Sequence, residues 1–223
     1  MELNFELVAK RAIEFASACY EKEQELLKRV GIVHKTEGEI RYAAGELVEH
    51  VLQSVFDAIN TFLEQDKIIS KVGRTDYLNK KIIYKGEEFI NDRIQVDRHV
   101  WYKGKRIAFI ENKTYLDSCY YDRALADFKK IAQSLYQHGQ NPLNSSFIVF
   151  AGQKAGKDNT LLTYEAEFWS ETKSLTNDVG IVPNTIYFLK GIRSSAKPLY
   201  KIKHIFNQNA IINLVKVILP YLE

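Results

Sequence analysis

The chain has 223 residues, 46% of them apolar and 26% charged, with four Pro and eleven Gly, a balance that excludes disordered, collagenous and low-complexity classes. This length fits a single domain with one core. The two cysteines, Cys19 and Cys119, form no Cys-x-x-Cys pair, which excludes a disulfide framework and a structural zinc set. The net charge of +3 is unevenly spread: residues 1–65 hold twelve Asp/Glu against seven Lys/Arg, whereas residues 179–223 hold six Lys/Arg against Glu223 alone. A basic C-terminal stretch suits a polyanion, because each Lys or Arg that neutralises a phosphate releases counterions. A solvated basic face is the plain alternative. No run of 18 uncharged apolar residues occurs, and the N-terminus is acidic where a secretory signal is basic, so a cytoplasmic protein without membrane association is expected.

Composition rich in Glu, Lys, Ala and Leu predicts a helix over residues 3–29, ended by Gly31. Val48, Val51, Leu52, Val55, Phe56, Ile59, Phe62 and Leu63 recur at helical spacing and predict a second over 38–64. From Lys71 the texture turns to short Ile/Val/Tyr/Phe segments divided by glycines, and the sheet begins. Residues 93–102 and 106–113, joined by Lys103-Gly104-Lys105, read as a hairpin. A helix over 121–138, apolar strands over 146–150 and 186–189, and a final helix over 210–219 complete an α/β chain with a mixed sheet. The expected organisation is one domain over 1–223: a mainly helical part to about residue 65, a sheet core over 71–150, and a C-terminal part over 151–223.

Residues two apart on a strand share a face, so Glu111 and Lys113 project together and Asn112 points away. A three-residue turn at 103–105 puts Asp97 opposite Glu111, whereas a two-residue turn puts it opposite Ile110. Either way two carboxylates and one ammonium share a site that Lys113 alone does not neutralise, and a divalent cation would. Asp and Glu oxygens suit Mg²⁺, which assists phosphodiester hydrolysis. An ordinary ion-paired sheet face is the alternative. Asp127-Phe128-Lys129 and Glu171-Thr172-Lys173 repeat the (Asp/Glu)-x-Lys triplet, but only Glu111 follows an apolar strand and faces an aspartate across a hairpin. His99 shares a strand face with Asp97 and is read as a possible DNA neighbour.

On these residues the chain resembles the PD-(D/E)XK nuclease superfamily, with Val96 where the name-giving proline would stand. The resemblance implies a restriction-endonuclease-like mixed sheet flanked by helices. It also implies Asp97, Glu111 and the Asn112 carbonyl as Mg²⁺ ligands and Lys113 as the catalytic lysine. Residues 43–49 resemble the helix from which several type II restriction endonucleases add a glutamate. On a helical wheel Glu49 lies about 80° from the centre of the apolar stripe and Glu46 about 140°, so Glu49 ranks first as the added catalytic residue. The function implied is a Mg²⁺-dependent type II endonuclease, a homodimer cutting double-stranded DNA at a short site. Another nuclease of the superfamily and a non-catalytic DNA-binding module are its rivals. Polar loops over 152–159 and 190–197 are expected to read DNA, with Gln153, Lys154, Asn159 and Arg193 as base readers and Lys197, Lys201 and Lys203 on the phosphate backbone.

Overall fold

A computed structural model of the protein describes residues 3–33, 36–155, 160–193 and 204–222. Two long helices, α1 (Phe5–Val33) and α2 (Glu37–Asn60), precede strands β1 (Ile69–Val72), β2 (Leu78–Tyr84), β3 (Glu87–Ile94), β4 (Arg98–Tyr102) and β5 (Lys105–Leu116). Helix α3 (Ser118–Gln137), β6 (Ser146–Ala155), α4 (Thr160–Thr172), β7 (Asn184–Tyr187), β8 (Ile192–Arg193) and α5 (Gln208–Ile218) follow. The main sheet has the order β1-β4-β5-β6-β7, with β8 also pairing β6, while β2 and β3 form a separate two-stranded sheet. Strands β5, β6 and β7 run parallel, and β4 is antiparallel to β5. The expected mixed sheet flanked by helices is therefore present. Among the described residues no helix is long and apolar enough to cross a membrane.

Alternation along the strands divides the core in two. Val100, Ala108, Ile110, Ile148 and Phe150 face α1, α2 and α5 and pack with Leu47, Val51, Val55 and Leu214. Phe109, Phe147, Val149 and Ala151 face α3 and α4 and pack with Tyr121, Leu125, Phe128 and Phe168. Phe147 stacks on Phe109 at 5.4 Å and meets Phe128 edge-on at 5.4 Å. This aromatic layer fixes α3 against the sheet face from which Glu111 and Lys113 project.

Three expectations are corrected. Helix α1 runs through Gly31 to Val33, since a helical glycine costs only about 1 kcal/mol relative to alanine. Residues 93–102 are not one strand: β3 ends at Ile94 in the small sheet and β4 starts at Arg98 in the large one. The chain bends between them because it crosses Gly73, where an added Cβ would lie 1.5 Å from the Val96 carbonyl oxygen, and where the Gly73 N–H donates to the Asp97 carbonyl at 3.1 Å. Helix α4 was not expected, although residues 159–178 contain neither Gly nor Pro.

The crossing at Gly73 places Asp97, and this gives a test. Gly73→Ala should cost about 3 kcal/mol, the upper end of the range for overpacking, and should lower any Asp97-dependent activity beyond the loss of folded protein. Chemical denaturation alongside activity per folded molecule checks both. Wild-type stability would show that the crossing is not tight.

Candidate active site

Between β4 and β5 the turn has two residues, Lys103 (φ 48°) and Gly104 (φ 74°), and Tyr102 pairs with Lys105. That turn alone would set Asp97 against Ile110. A bulge at Ile107 shifts the ladder, so that Trp101 pairs with Arg106 but Val100 pairs with Ala108 and Arg98 with Ile110. Continued by one residue, this register sets Asp97 opposite Glu111. The expected juxtaposition is present, reached by a bulge in place of a longer turn.

The three side chains meet. Lys113 Nζ donates to Glu111 Oε2 in a very short contact and lies 3.5 Å from Asp97 Oδ2. The Asn112 N–H also donates to Asp97 Oδ2, at 2.7 Å, leaving Oδ1 outside both contacts. A strand residue's N–H and C=O point to the same side, so the Asn112 carbonyl also faces the side of Asp97. Glu111 is buried, whereas the Asp97 side chain is 41% exposed. Burial first, and then the Asp97 charge, push the Glu111 carboxyl up to about 7 against the pull of Lys113. Burial works against the Lys113 ammonium, but Glu111 and Asp97 outweigh it and hold its pKa above the ordinary value.

Glu49 does not join this group directly. Its carboxylate accepts from Arg98 at 2.6 Å. Arg98 follows Asp97 and, paired with Ile110, points to the face covered by α2. Glu49 is thus turned towards the sheet, as the helical wheel implies, but Arg98 holds its carboxylate there. Glu46 lies near Tyr42, whose hydroxyl pKa it raises. His99 is corrected as a DNA neighbour, because its ring is fully buried edge-on to Phe109 at 5.2 Å, with Nδ1 3.7 Å from Asp76. Asp76 in turn accepts from Trp101 and, at 2.7 Å, from Arg106.

The expected 152–159 loop is corrected over its first part, since β6 continues through Gln153 and Lys154 to Ala155. Gln153 is 3% exposed, and its Nε2 donates to the Lys190 carbonyl at 2.9 Å, so it is held inside the protein and presents nothing to a duplex. Lys154 is half-buried and pairs with Ile192. Arg193 stands in β8, half-buried, with its guanidinium over the Tyr115 ring at 3.5 Å. Asn159, Lys197, Lys201 and Lys203 lie outside the described residues.

Buried His99 gives the fold an acid limb. Burial, against the pull of Asp76, lowers its pKa to about 4 from 6.5, so stability is complete above pH 6.5 and is lost as the pH falls towards 4. Linkage puts the loss between pH 7.5 and pH 5 at about 2 kcal/mol. Glu111 acts oppositely in metal-free protein: its raised pKa means that stability is complete below 4.5 and is lost as the pH rises through about 7. The two effects nearly cancel in the wild type. His99→Phe should therefore gain stability on acidification from pH 7.5 to pH 5, as measured by urea unfolding in EDTA. A flat profile in that variant would sink the assignment.

No protein-family model matches the chain, and no curated protein matches it. The family resemblance expected from the sequence gains nothing from these comparisons and stands on Asp97, Glu111, Asn112 and Lys113 alone.

Proposed function

We propose that this chain is a Mg²⁺-dependent nuclease of the PD-(D/E)XK kind that hydrolyses double-stranded DNA, in its simplest form a type II restriction endonuclease. The observation that carries the reading is the meeting of Asp97, Glu111 and Lys113 at the junction of β4 and β5, with Glu111 buried and under-neutralised. Cutting both strands of a symmetric site requires two such centres, hence a homodimer.

The residues fit a hard cation. Two carboxylates against one ammonium leave a net negative charge in a half-buried place, and the Asn112 carbonyl adds a neutral oxygen on the same side. Among the described residues no three His, Cys, Asp or Glu side chains gather, and Mg²⁺ typically needs only one or two carboxylates, taking its other ligands from water and phosphate. Asp97, Glu111 and the Asn112 carbonyl would hold it. Bound there, Mg²⁺ supplies positive charge against the attacked phosphate and the leaving oxygen. Asp97 is fixed by the Asn112 N–H. Lys113, braced by both carboxylates, directs its one remaining N–H donor at the incoming water or a non-bridging phosphate oxygen, where negative charge develops.

One observation favours the non-catalytic module: Lys113 already touches both carboxylates, as in an ordinary ion-paired face. Digestion of mixed plasmid DNA with Mg²⁺ or EDTA, followed by sequencing of the ends, separates the readings. Mg²⁺-dependent fragments with one fixed end sequence support a restriction enzyme, and structure-dependent nicks support a repair or recombination nuclease. Duplex binding without cleavage supports the module.

A further inference from the structure

Arg98 meets Glu49, Arg106 meets Asp76, and Lys113 meets both carboxylates of the candidate site. Arg193, also on the sheet, has no carboxylate partner among the described residues. Its guanidinium lies over the Tyr115 ring with 3.5 Å to the centroid, and Tyr120 meets Tyr115 edge-on at 5.4 Å. A guanidinium lying against a ring keeps its N–H donors at its rim, in the fork that matches a phosphate. Tyr115 follows Glu111 and Lys113 at two-residue intervals on β5, so alternation puts all three on one sheet face.

We infer that Arg193, held against Tyr115, is a phosphate contact that seats the cleaved DNA strand beside Lys113. Tyr115 is the positioning residue, and Tyr120 supports its ring. Cα atoms two residues apart on a strand are about 7 Å apart, and a duplex offers a phosphate every 3.4 Å or so of axis per strand. A phosphate on Arg193 and one at Lys113 thus belong to nearby nucleotides of one strand. Arg193 then positions the duplex and reads no base, which revises the role expected from sequence. The inference rests on the nuclease reading for its cleaved strand, but its anion chemistry stands apart from cleavage.

The experiment measures anisotropy of a fluorescent mixed-sequence duplex over a KCl series in EDTA, and plasmid cleavage kinetics in Mg²⁺. Arg193→Ala should lower the log–log salt slope by about one unit and weaken all sequences alike, raising KM while leaving kcat within about twofold. Tyr115→Leu should weaken binding in the wild-type background and add nothing in Arg193→Ala, whereas Tyr115→Phe should bind normally. Thermal unfolding of each variant establishes that it is folded. A wild type that cuts, with an unchanged slope in Arg193→Ala, overturns this inference and leaves the nuclease reading standing. A wild type that binds without cutting, with the slope lowered, upholds the phosphate contact and overturns the nuclease. A wild type that neither binds nor cuts overturns both.

Discussion

Asp97→Asn and Glu111→Gln should each reduce Mg²⁺-stimulated DNA cleavage on the order of a thousandfold, comparable with the loss of a group that stabilises transition-state charge, while both proteins stay folded. For Glu111→Gln the fold should even gain. The native carboxylate at pH 7.5 is buried beside Asp97, with its pKa raised to about 7, and the amide is neutral at every pH. In EDTA at pH 7.5 the variant should exceed the wild type by about 2 kcal/mol, the advantage shrinking towards pH 5 as the wild-type carboxyl takes up its proton. Inactivity together with added stability is the signature of a charge kept for chemistry at the expense of the fold. Retained cleavage in Asp97→Asn would remove the site assignment, and a destabilised Glu111→Gln would show that Glu111 is a structural ion-pair member.

Lys113→Met should lose cleavage to a similar extent for the opposite reason. It leaves the buried Glu111 carboxylate without its cation, and breaking such a pair from one side costs about 3–5 kcal/mol. Lys113→Met/Glu111→Gln should recover most of that stability and none of the cleavage. Denaturation midpoints at pH 8 for the two single variants and the double variant close the cycle. Near-normal turnover in Lys113→Met would leave the lysine with a structural role only.

The helices and central strands were legible because their apolar periodicity is strong, as in Val48 to Ile59 and Phe147 to Phe150. The triplet at Glu111 was legible for the same reason, since the apolar run before it fixed which face it used. The turn was not, because a three-residue turn and a two-residue turn followed by a bulge give the same register beyond Val100, and nothing in Arg106-Ile107-Ala108 marks the extra residue. Helix α4 escaped because its buried contacts, Leu161, Phe168 and Thr172, are too sparse to form a stripe. Gln153 has the composition of a loop, and only the carbonyl of Lys190, distant in sequence, explains its burial. Stacking of Arg193 on Tyr115 likewise joins segments far apart in the chain.

The bulge at Ile107 also bears on how the length of this hairpin can change. Facing alternates with period two, so removing Gly104 or adding a residue to the turn would turn Asp97 towards Ile110 or Asn112 and separate the carboxylates. Removing Ile107 itself keeps Val100 against Ala108 and Arg98 against Ile110, leaving the pairing beyond it intact. Between Asp97 and Glu111 the chain therefore holds one dispensable position as far as register is concerned. That position is a buried isoleucine, whose loss is felt in packing and leaves the alignment of the two acids unchanged. Relatives of this chain that are one residue shorter here can carry the same pair of acids, provided that the missing residue is the bulged one.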